Sequence, residues 1–303
     1  MISIIIPNLH SPLIGEVIAA LEGQTARASI DQIIVVGMDR HGLVPAGVRF
    51  IATPRPVSVT RARNLGVQAA QSELVAFIDA DCIAEPECVE RLLARHSQGY
   101  TAVGGAMQIE PRPYWTMCDN ILTFTQALAV APAGVRNYLP GFTLSVSRQA
   151  VLDAGGFDES FAGSGGGDDL EFCWRLLRRG ARLFFEPRAR VYHRPARSSF
   201  AAMWRHLHHY GRAYSAIVGQ HADVMPSRLS PRLRPLGGLV IAGAPLLALA
   251  SVLQMYLVLP GLRAHWRALP GLAAGKIAWY WGVAETLMRA SAEARQTTAS
   301  SHG

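Results

Sequence analysis

Apolar runs alternate with helical patterns along the first hundred residues of the chain. Four short apolar runs, each bounded by turn or charged residues, predict β-strands. These strands are Ile2–Ile6, Gln32–Val36, Val48–Ile51 and Leu74–Ile78. Helical spacing of apolar residues predicts Leu13–Leu21, Arg61–Ala70 (N-cap Thr60) and Pro86–Arg95. This alternation is typical of an α/β domain with a mostly parallel sheet covered by helices, whose ligands bind beyond the carboxyl ends of the strands.

A different pattern begins in the last third of the chain. Leu236–Leu259 is a run of 24 residues without a formal charge. As a helix it would measure about 36 Å, enough to cross a hydrocarbon core of about 30 Å. A second apolar stretch, Leu269–Met288, carries Lys276 and Glu285, so it either returns across the bilayer or lies in its interface. The alternative is that both helices pack on the first domain as part of a soluble core.

Composition and charge refine this division. The chain has 303 residues, 50% hydrophobic and 17% charged, which excludes a disordered or fibrous protein and leaves room for about two domains. The net charge is +7, and arginines are concentrated between Arg182 and Arg234, directly before the apolar run. A basic flank predicts the cytoplasmic side of a membrane segment. The four cysteines form no CxxC pair, which indicates reduced thiols rather than a disulfide framework or a structural metal site.

Candidate chemistry appears where the fourth predicted strand ends. The phosphate-binding patterns GxGxxG and GxxxxGK[ST] are absent from the sequence, which argues against a Rossmann dehydrogenase or a P-loop enzyme. Instead, Asp79 and Asp81 follow the strand directly. In an extended chain these side chains point to the same side and repel each other unless a cation such as Mg²⁺ or Mn²⁺ lies between them. The alternative is a solvated turn in which one of the two caps the next helix.

Further motifs, in a fixed order, accompany this acidic pair. They are Ile4-Ile5-Ile6-Pro7-Asn8, Ala62-Arg63-Asn64, Gly155-Gly156-Phe157-Asp158-Glu159, Asp168-Asp169-Leu170-Glu171 and Val191-Tyr192-His193. Over residues 1–215 the chain resembles glycosyltransferase family 2. The resemblance implies a GT-A fold and a UDP-, GDP- or dTDP-linked sugar as the donor. The apolar segment of the chain indicates a glycan or lipid-linked acceptor, and no role for nucleic acid is expected.

The resemblance also assigns roles to individual residues. Asp79, Asp81 and His193 are expected to hold a divalent metal, Mn²⁺ or Mg²⁺, on the donor diphosphate, and Asp169 is expected to be the catalytic base. The expected donor-binding residues are Pro7, Asn8, Asp39, Arg63, Asn64 and Asp79. Asp168, Gly141 and Trp174 are expected to contact or orient the acceptor. A single base opposite a metal-held leaving group implies in-line displacement, and therefore inversion at the anomeric carbon.

The chain departs from the family pattern in two places. Gly37 and Met38 occupy positions that are usually acidic after the second strand. Either Asp39 substitutes from a shifted position, or the backbone alone reads the nucleotide base. The Q-x-x-R-W string of processive members does not occur in the sequence, which indicates the addition of one sugar per acceptor.

The Asp168-Asp169 pair and the glycines before it allow more than one interpretation. Adjacent helical residues diverge by about 100 degrees, so one carboxylate is expected to face the acceptor while the other caps or orients. The alternative is a doubled N-cap for the helix Leu170–Arg178. The preceding stretch Gly163–Gly167 is either a loop that closes over bound substrate or a plain linker.

Two other functional classes remain open at this stage. A nucleotidyltransferase on a similar sheet normally has a glycine-rich basic loop after its first strand, which Pro7–Ser11 lacks. A basic protein that binds membrane or nucleic acid is the other, but the arginine stretch adjoins an apolar segment rather than interleaved aromatics. His206 and His209 share a helix face without a neighbouring acid in sequence, which favours a membrane-surface helix over a metal site.

The expected organisation has four parts. These are a GT-A domain at 1–215, a basic linker at 216–235, an apolar helical region at 236–290 and a polar tail at 291–303. The expected location is the cytoplasmic face of the cell membrane, with 236–259 as an integral span.

Overall fold

The computed structural model describes residues 1–161, 167–220 and 237–300. The predicted glycine-rich loop, apart from Gly167, and most of the predicted basic linker therefore lie outside the described residues. Contacts divide the chain into two compact units. Of the described residues, the first unit contains 1–110, 126–161 and 168–195, and the second contains 111–125, 167, 196–220 and 237–300.

The first unit is built around one nine-stranded sheet. Its strands are β1 (Ile2–Leu9), β2 (Ile30–Met38), β3 (Arg49–Ala52), β4 (Leu74–Ile78), β5 (Cys82–Ala84), β6 (Ala102–Met107), β7 (Gly134–Val135), β8 (Thr143–Ser147) and β9 (Leu183–His193). Its helices are α1 (Ile14–Glu22), α2 (Val59–Ala69), α3 (Cys88–His96), α5 (Arg148–Asp153) and α6 (Asp168–Arg178), together with 3₁₀ turns at Arg27–Ser29, Thr125–Ala127 and Glu159–Phe161. The second unit supplies α4 (Tyr114–Thr123).

The sheet has the order β3-β2-β1-β4-β8-β6-β9-β5, with β7 paired to β9. The expected parallel arrangement holds from β3 to β4. Beyond β4 the sheet is mixed, because β8 runs antiparallel to both β4 and β6 while β6 and β9 are parallel. The short strand β5 pairs antiparallel with β9, directly after the acidic pair. The carboxyl end of β4 therefore lies beside residues from the far part of the chain.

The core begins with the apolar run of β1, in which Ile4, Ile5 and Ile6 are fully buried. Helix α2 packs closely on this strand, since a Cβ at Gly66 would lie 2.3 Å from Ile5 Cγ2. The expected N-cap of α2 was wrong. The helix starts at Val59, and Ser58 accepts the hydrogen bond from the Arg61 amide. Thr60 lies inside the first turn, where its hydroxyl meets that of Ser58.

The second unit is helical. Besides α4 it contains α7 (Phe200–Gln220), α8 (Gly237–Val258), a 3₁₀ segment (Pro260–Ala268) and α9 (Leu269–Ser300). Among the described residues, α8 is the one helix long and apolar enough to cross a membrane. His206 has an acidic partner that is distant in the sequence. Fully buried Asp119 of α4 lies 2.7 Å from its Nδ1, a contact between distant parts of the chain that sequence spacing does not reveal.

Candidate active site

The acidic pair occupies a turn between β4 and β5. The Asp79 carbonyl accepts a hydrogen bond from the Cys82 amide at 3.0 Å, so the chain is not extended here. The expectation that both carboxylates point to one side assumed an extended chain, and that premise does not hold at this turn. Asp79 Oδ1 accepts from Arg63 Nη2 at 3.2 Å, whereas Asp81 Oδ1 lies 3.5 Å from His193 Nε2. The two carboxylates have separate partners.

The pairing of β5 with β9 creates a set of possible metal ligands. Cys82 lies opposite His193 in the register, and ligand atoms of Asp81, Cys82 and His193 lie within 4.8 Å of one another. Carboxylate groups suit Mn²⁺ and Mg²⁺, and imidazole is a common metal ligand in proteins. Burial raises the pKa of the Cys82 thiol, which favours the protonated form over the metal-binding thiolate.

Electrostatics at the turn also favours a cation. Burial is the main cause that raises the pKa of Asp79, and the charge of Asp81 adds to it, although Arg63 and His193 oppose the shift. A divalent cation beside the turn would stabilise the ionised carboxylates. Within the group that the structure brings together, the Asp81 carboxylate and the His193 imidazole therefore fit the metal that the resemblance implies. Asp79, the third expected ligand, pairs with Arg63 instead.

Arg63 joins this turn to the second acidic pair. From α2 its guanidinium donates to Asp168 Oδ2 at 2.9 Å, to Asp79 Oδ1 at 3.2 Å and to the Gly141 carbonyl at 3.2 Å. The side chain is only 4% exposed. Burial lowers its pKa, but the nearby aspartates outweigh burial and leave a net upward shift. The guanidinium is therefore charged and ties the ends of β4 and α6 together.

Asp169 follows Asp168 in α6 and has different hydrogen-bond partners. Its Oδ2 accepts from the Tyr138 hydroxyl at 3.0 Å and from the Gly141 amide at 2.9 Å. Burial, followed by the charge of Asp168, raises the pKa of Asp169 to about 6, against the opposing effect of these hydrogen bonds and of Arg63. A carboxylate that titrates near neutrality is suited to accept a proton from a substrate hydroxyl.

One peptide group connects these partners. Gly141 donates its amide to Asp169 and offers its carbonyl to Arg63. A Cβ at this position would lie 2.7 Å from Arg63 Nη2, so the contact requires glycine. Sequence reasoning included Gly141 but missed Tyr138, which lies 31 residues from Asp169 and carries no motif.

Two of the residues expected to bind the donor, Pro7 and Asn8, lie at the end of β1 beside β2. Pro7 and Asn8 pair with Val36 and Gly37 in the register. Asn8 donates to the Met38 carbonyl at 3.0 Å. Gly37 has φ +129, and a Cβ there would lie 2.1 Å from the Asn8 carbonyl oxygen, which explains why no acidic side chain occupies this position.

Asp39, Asn64 and Trp174 lie outside the group that Arg63 connects. The Asp39 carboxylate accepts the Val44 amide at 2.8 Å and the His41 amide at 3.2 Å, which holds its own loop. The Asn64 amide group donates to the Phe157 carbonyl at 2.9 Å and accepts from the Phe157 amide at 2.8 Å. Trp174 is 2% exposed on α6. Arg63, Gly141, Asp79, Asp168 and Asp169 are thus brought into one connected group, whereas Asp39 and Asn64 contact other parts of the fold.

Comparison with known proteins gives a consistent picture. A family model described as "Glycosyltransferase like family 2" matches residues 1–211. The chain is 28% identical over 208 residues to the "Pre-mycofactocin glycosyltransferase" of Mycobacterium tuberculosis (strain ATCC 25618 / H37Rv), a match that covers 66% of this chain and 41% of that protein. It is 31% identical over 151 residues to the "Validoxylamine A glucosyltransferase" of Streptomyces hygroscopicus subsp. jinggangensis (strain 5008), covering 40% of this chain and 36% of that protein. The chain therefore spans less than half the length of these curated relatives.

A solved structure shares the architecture. It is described as "Crystal structure of GalNAc-T7 with UDP, GalNAc and Mn2+", and it matches with a TM-score of 0.54 and 14% sequence identity. The match covers 75% of this chain and 51% of that chain. The likeness confirms the expected GT-A fold.

Proposed function

Because the chain belongs to the glycosyltransferase-like family 2, we propose that it transfers a sugar from a nucleotide-diphosphate sugar to an acceptor hydroxyl, with inversion at the anomeric carbon. The observation that carries the proposal is the connection through Arg63. Its guanidinium binds Asp79 at the acidic turn and Asp168 beside Asp169. The groups proposed for the donor and for the acceptor are therefore held by one buried side chain.

On the donor side, Asp79, Asp81 and His193 would hold a divalent cation, Mn²⁺ or Mg²⁺. When bound, this cation supplies positive charge that stabilises the leaving diphosphate. Asn8 and Pro7 contribute the adjacent backbone edge for the nucleotide. Since Gly37 leaves no space for a side chain, we propose that backbone groups at the ends of β1 and β2, rather than Asp39, read the base.

On the acceptor side, Asp169 accepts the proton of the attacking hydroxyl. The hydrogen bonds from Tyr138 and Gly141 orient its carboxylate, and its raised pKa allows it to accept a proton at neutral pH. Asp168 orients Arg63 and takes no part in the proton transfer itself. Because this single base activates the acceptor hydroxyl on the side of the anomeric carbon opposite the leaving group, the displacement is in-line and inverts the configuration at that carbon.

The acceptor and the location complete the proposal. The absence of the Q-x-x-R-W string from the sequence supports the transfer of one sugar per acceptor. We propose a glycan or lipid-linked acceptor of the cell envelope, because α8 is long and apolar enough to associate with a membrane. The basic stretch before α8 supports attachment to the cytoplasmic face, where nucleotide sugars are available.

A donor panel tests this proposal. UDP-, GDP- and dTDP-sugars are added with Mn²⁺ or with EDTA, and the melting temperature of the protein is recorded. We expect one nucleotide class to stabilise the wild type in Mn²⁺ only. Asp81→Asn should remove the stabilisation while its melting temperature without donor stays near that of the wild type. Equal stabilisation of Asp81→Asn would contradict the assignment of the acidic turn.

A further inference from the structure

Helix α8 has two different faces. The buried face consists largely of small residues, Gly237, Ala244, Ala248 and Val252. The opposite face is apolar as well but exposed: Leu239, Leu246, Leu253 and Leu257 are 68%, 76%, 50% and 72% exposed. These leucines are seven, seven and four residues apart, so they form one stripe along the helix. An exposed apolar stripe of this length marks an interaction surface.

The buried face of α8 packs on α9, and α9 also packs on α7 and α4. Ser251 of α8 hydrogen-bonds Tyr280 of α9 at 2.7 Å. Toward the other side of α9, a Cβ at Gly275 would lie 2.4 Å from Leu122 and 2.6 Å from Leu207. Helix α9 is therefore sandwiched between the apolar helix α8 and the two helices α4 and α7.

This sandwich places charged groups level with the middle of α8. Gly275 and Tyr280 are five residues, or about 7.5 Å, apart along α9. Leu207 adjoins His206, which binds fully buried Asp119, and Arg205 on the same helix is exposed. If α8 crossed a bilayer, Arg205 and the Asp119 cluster would lie at hydrocarbon depth, and charges at that depth are costly.

The surroundings of the apolar stripe indicate what covers it. Residues 224–284 contain no acidic residue. The 3₁₀ segment that follows α8 exposes Arg263 and Arg267 on either side of Trp266, which is 61% exposed. Basic residues beside apolar ones complement anionic lipid headgroups, and tryptophan favours the membrane interface.

We propose that α8 lies in the plane of an anionic membrane surface, with the stripe of Leu239, Leu246, Leu253 and Leu257 inserted below the headgroups. In this arrangement α9 lies behind α8, and the charged face of α7 stays in water. The inference rests on the proposed membrane association and is independent of the proposed sugar transfer, which has separate tests.

Vesicle binding and depth labelling test the proposal with the full chain. We expect co-sedimentation with vesicles of 70% phosphatidylcholine and 30% phosphatidylglycerol, and little with phosphatidylcholine alone. The double variant Leu246→Glu/Leu253→Glu should bind at least about tenfold more weakly, because each leucine loses its apolar burial. The matched control Ala201→Glu adds a charge at an exposed position of α7 and should bind like the wild type.

Depth separates an in-plane helix from a spanning one. Single fluorescent labels at Leu239→Cys, Leu246→Cys and Leu257→Cys are quenched by brominated lipids, while the four native cysteines are buried. We expect similar, shallow depths at all three positions. A central depth for Leu246 with Leu239 and Leu257 near opposite surfaces would show a spanning helix and overturn the proposal. If the protein is a dimer that does not bind vesicles, the proposal is also overturned, because a second copy of the chain would then cover the leucine stripe.

Discussion

At the residue scale, opposing influences set the proton affinity of Asp169. Burial and the charge of Asp168 raise its pKa to about 6, whereas the Gly141 amide, Arg63 and the Tyr138 hydroxyl act in the opposite direction. The carboxylate is therefore protonated below about pH 6 and ionised above it. A base must be ionised to act, so kcat/KM for sugar transfer should rise with pH through this value and level off above it.

Replacing Tyr138 tests this account. Tyr138→Phe removes a donor that stabilises the ionised carboxylate, so the pKa of Asp169 should rise further. A hydrogen bond of about 1 kcal/mol corresponds to a shift of about 0.7 pH units. The acidic limb of the kcat/KM profile should move to higher pH by about that amount. The matched control is Tyr100→Phe, since the Tyr100 ring packs on Phe184. If the acidic limb of Tyr138→Phe stays where it is in the wild type, Asp169 is not the group whose ionisation sets that limb.

Sequence reasoning at this scale succeeded where neighbours in the chain decide the geometry. The divergence of Asp168 and Asp169 follows from helix geometry alone, and the structure gives each its own partners. The direction of Asp79 and Asp81 depends on a turn and on Arg63, which is 16 residues away. Alternation along a strand does not contain that information.

At the element scale, Arg63 connects α2 to the ends of β4 and α6. Replacing it leaves Asp79 and Asp168 without their shared cation in a buried site. Arg63→Met should therefore lower the free energy of unfolding by about 3–5 kcal/mol, measured by urea denaturation.

The matched control for this prediction lies two residues earlier. Arg61 pairs with Glu159 at the surface, with its side chain 54% exposed. Arg61→Met should cost less than about 1 kcal/mol, because water screens an exposed pair. Equal losses in the two variants would show that Arg63 does not hold these elements together.

The junction of β1 and β2 gives a second prediction at this scale. Gly37 has φ +129, and a Cβ would lie 2.1 Å from the Asn8 carbonyl oxygen, so Gly37→Ala must displace the backbone. We expect a loss of about 3 kcal/mol in stability, seen as a lower melting temperature. A Cβ at Gly47 meets no atom within 4 Å, so Gly47→Ala should change stability by less than about 0.5 kcal/mol. A Gly37→Ala variant as stable as Gly47→Ala would contradict this account of the departure from the family pattern.

At the scale of the whole molecule, the first half of the sheet could be predicted because its strands and helices alternate locally. The second half could not, since β8 inserts antiparallel between β4 and β6 from a segment without a clear period. The motif order was enough to indicate the family, and the match over residues 1–211 confirms it. The helical unit was harder to predict, because packing between α7, α8 and α9 decides which apolar residues are covered.

The central claim is that Asp169 removes the acceptor proton in a metal-dependent sugar transfer. The most direct measurement is transfer of the sugar from the stabilising donor to acceptor, with Mn²⁺ or EDTA, by wild type and Asp169→Asn. We predict transfer by the wild type in Mn²⁺ only, and a loss of about two to four orders of magnitude in Asp169→Asn with unchanged donor binding. Transfer by Asp169→Asn at the wild-type rate, or wild-type transfer undiminished in EDTA, would contradict the account.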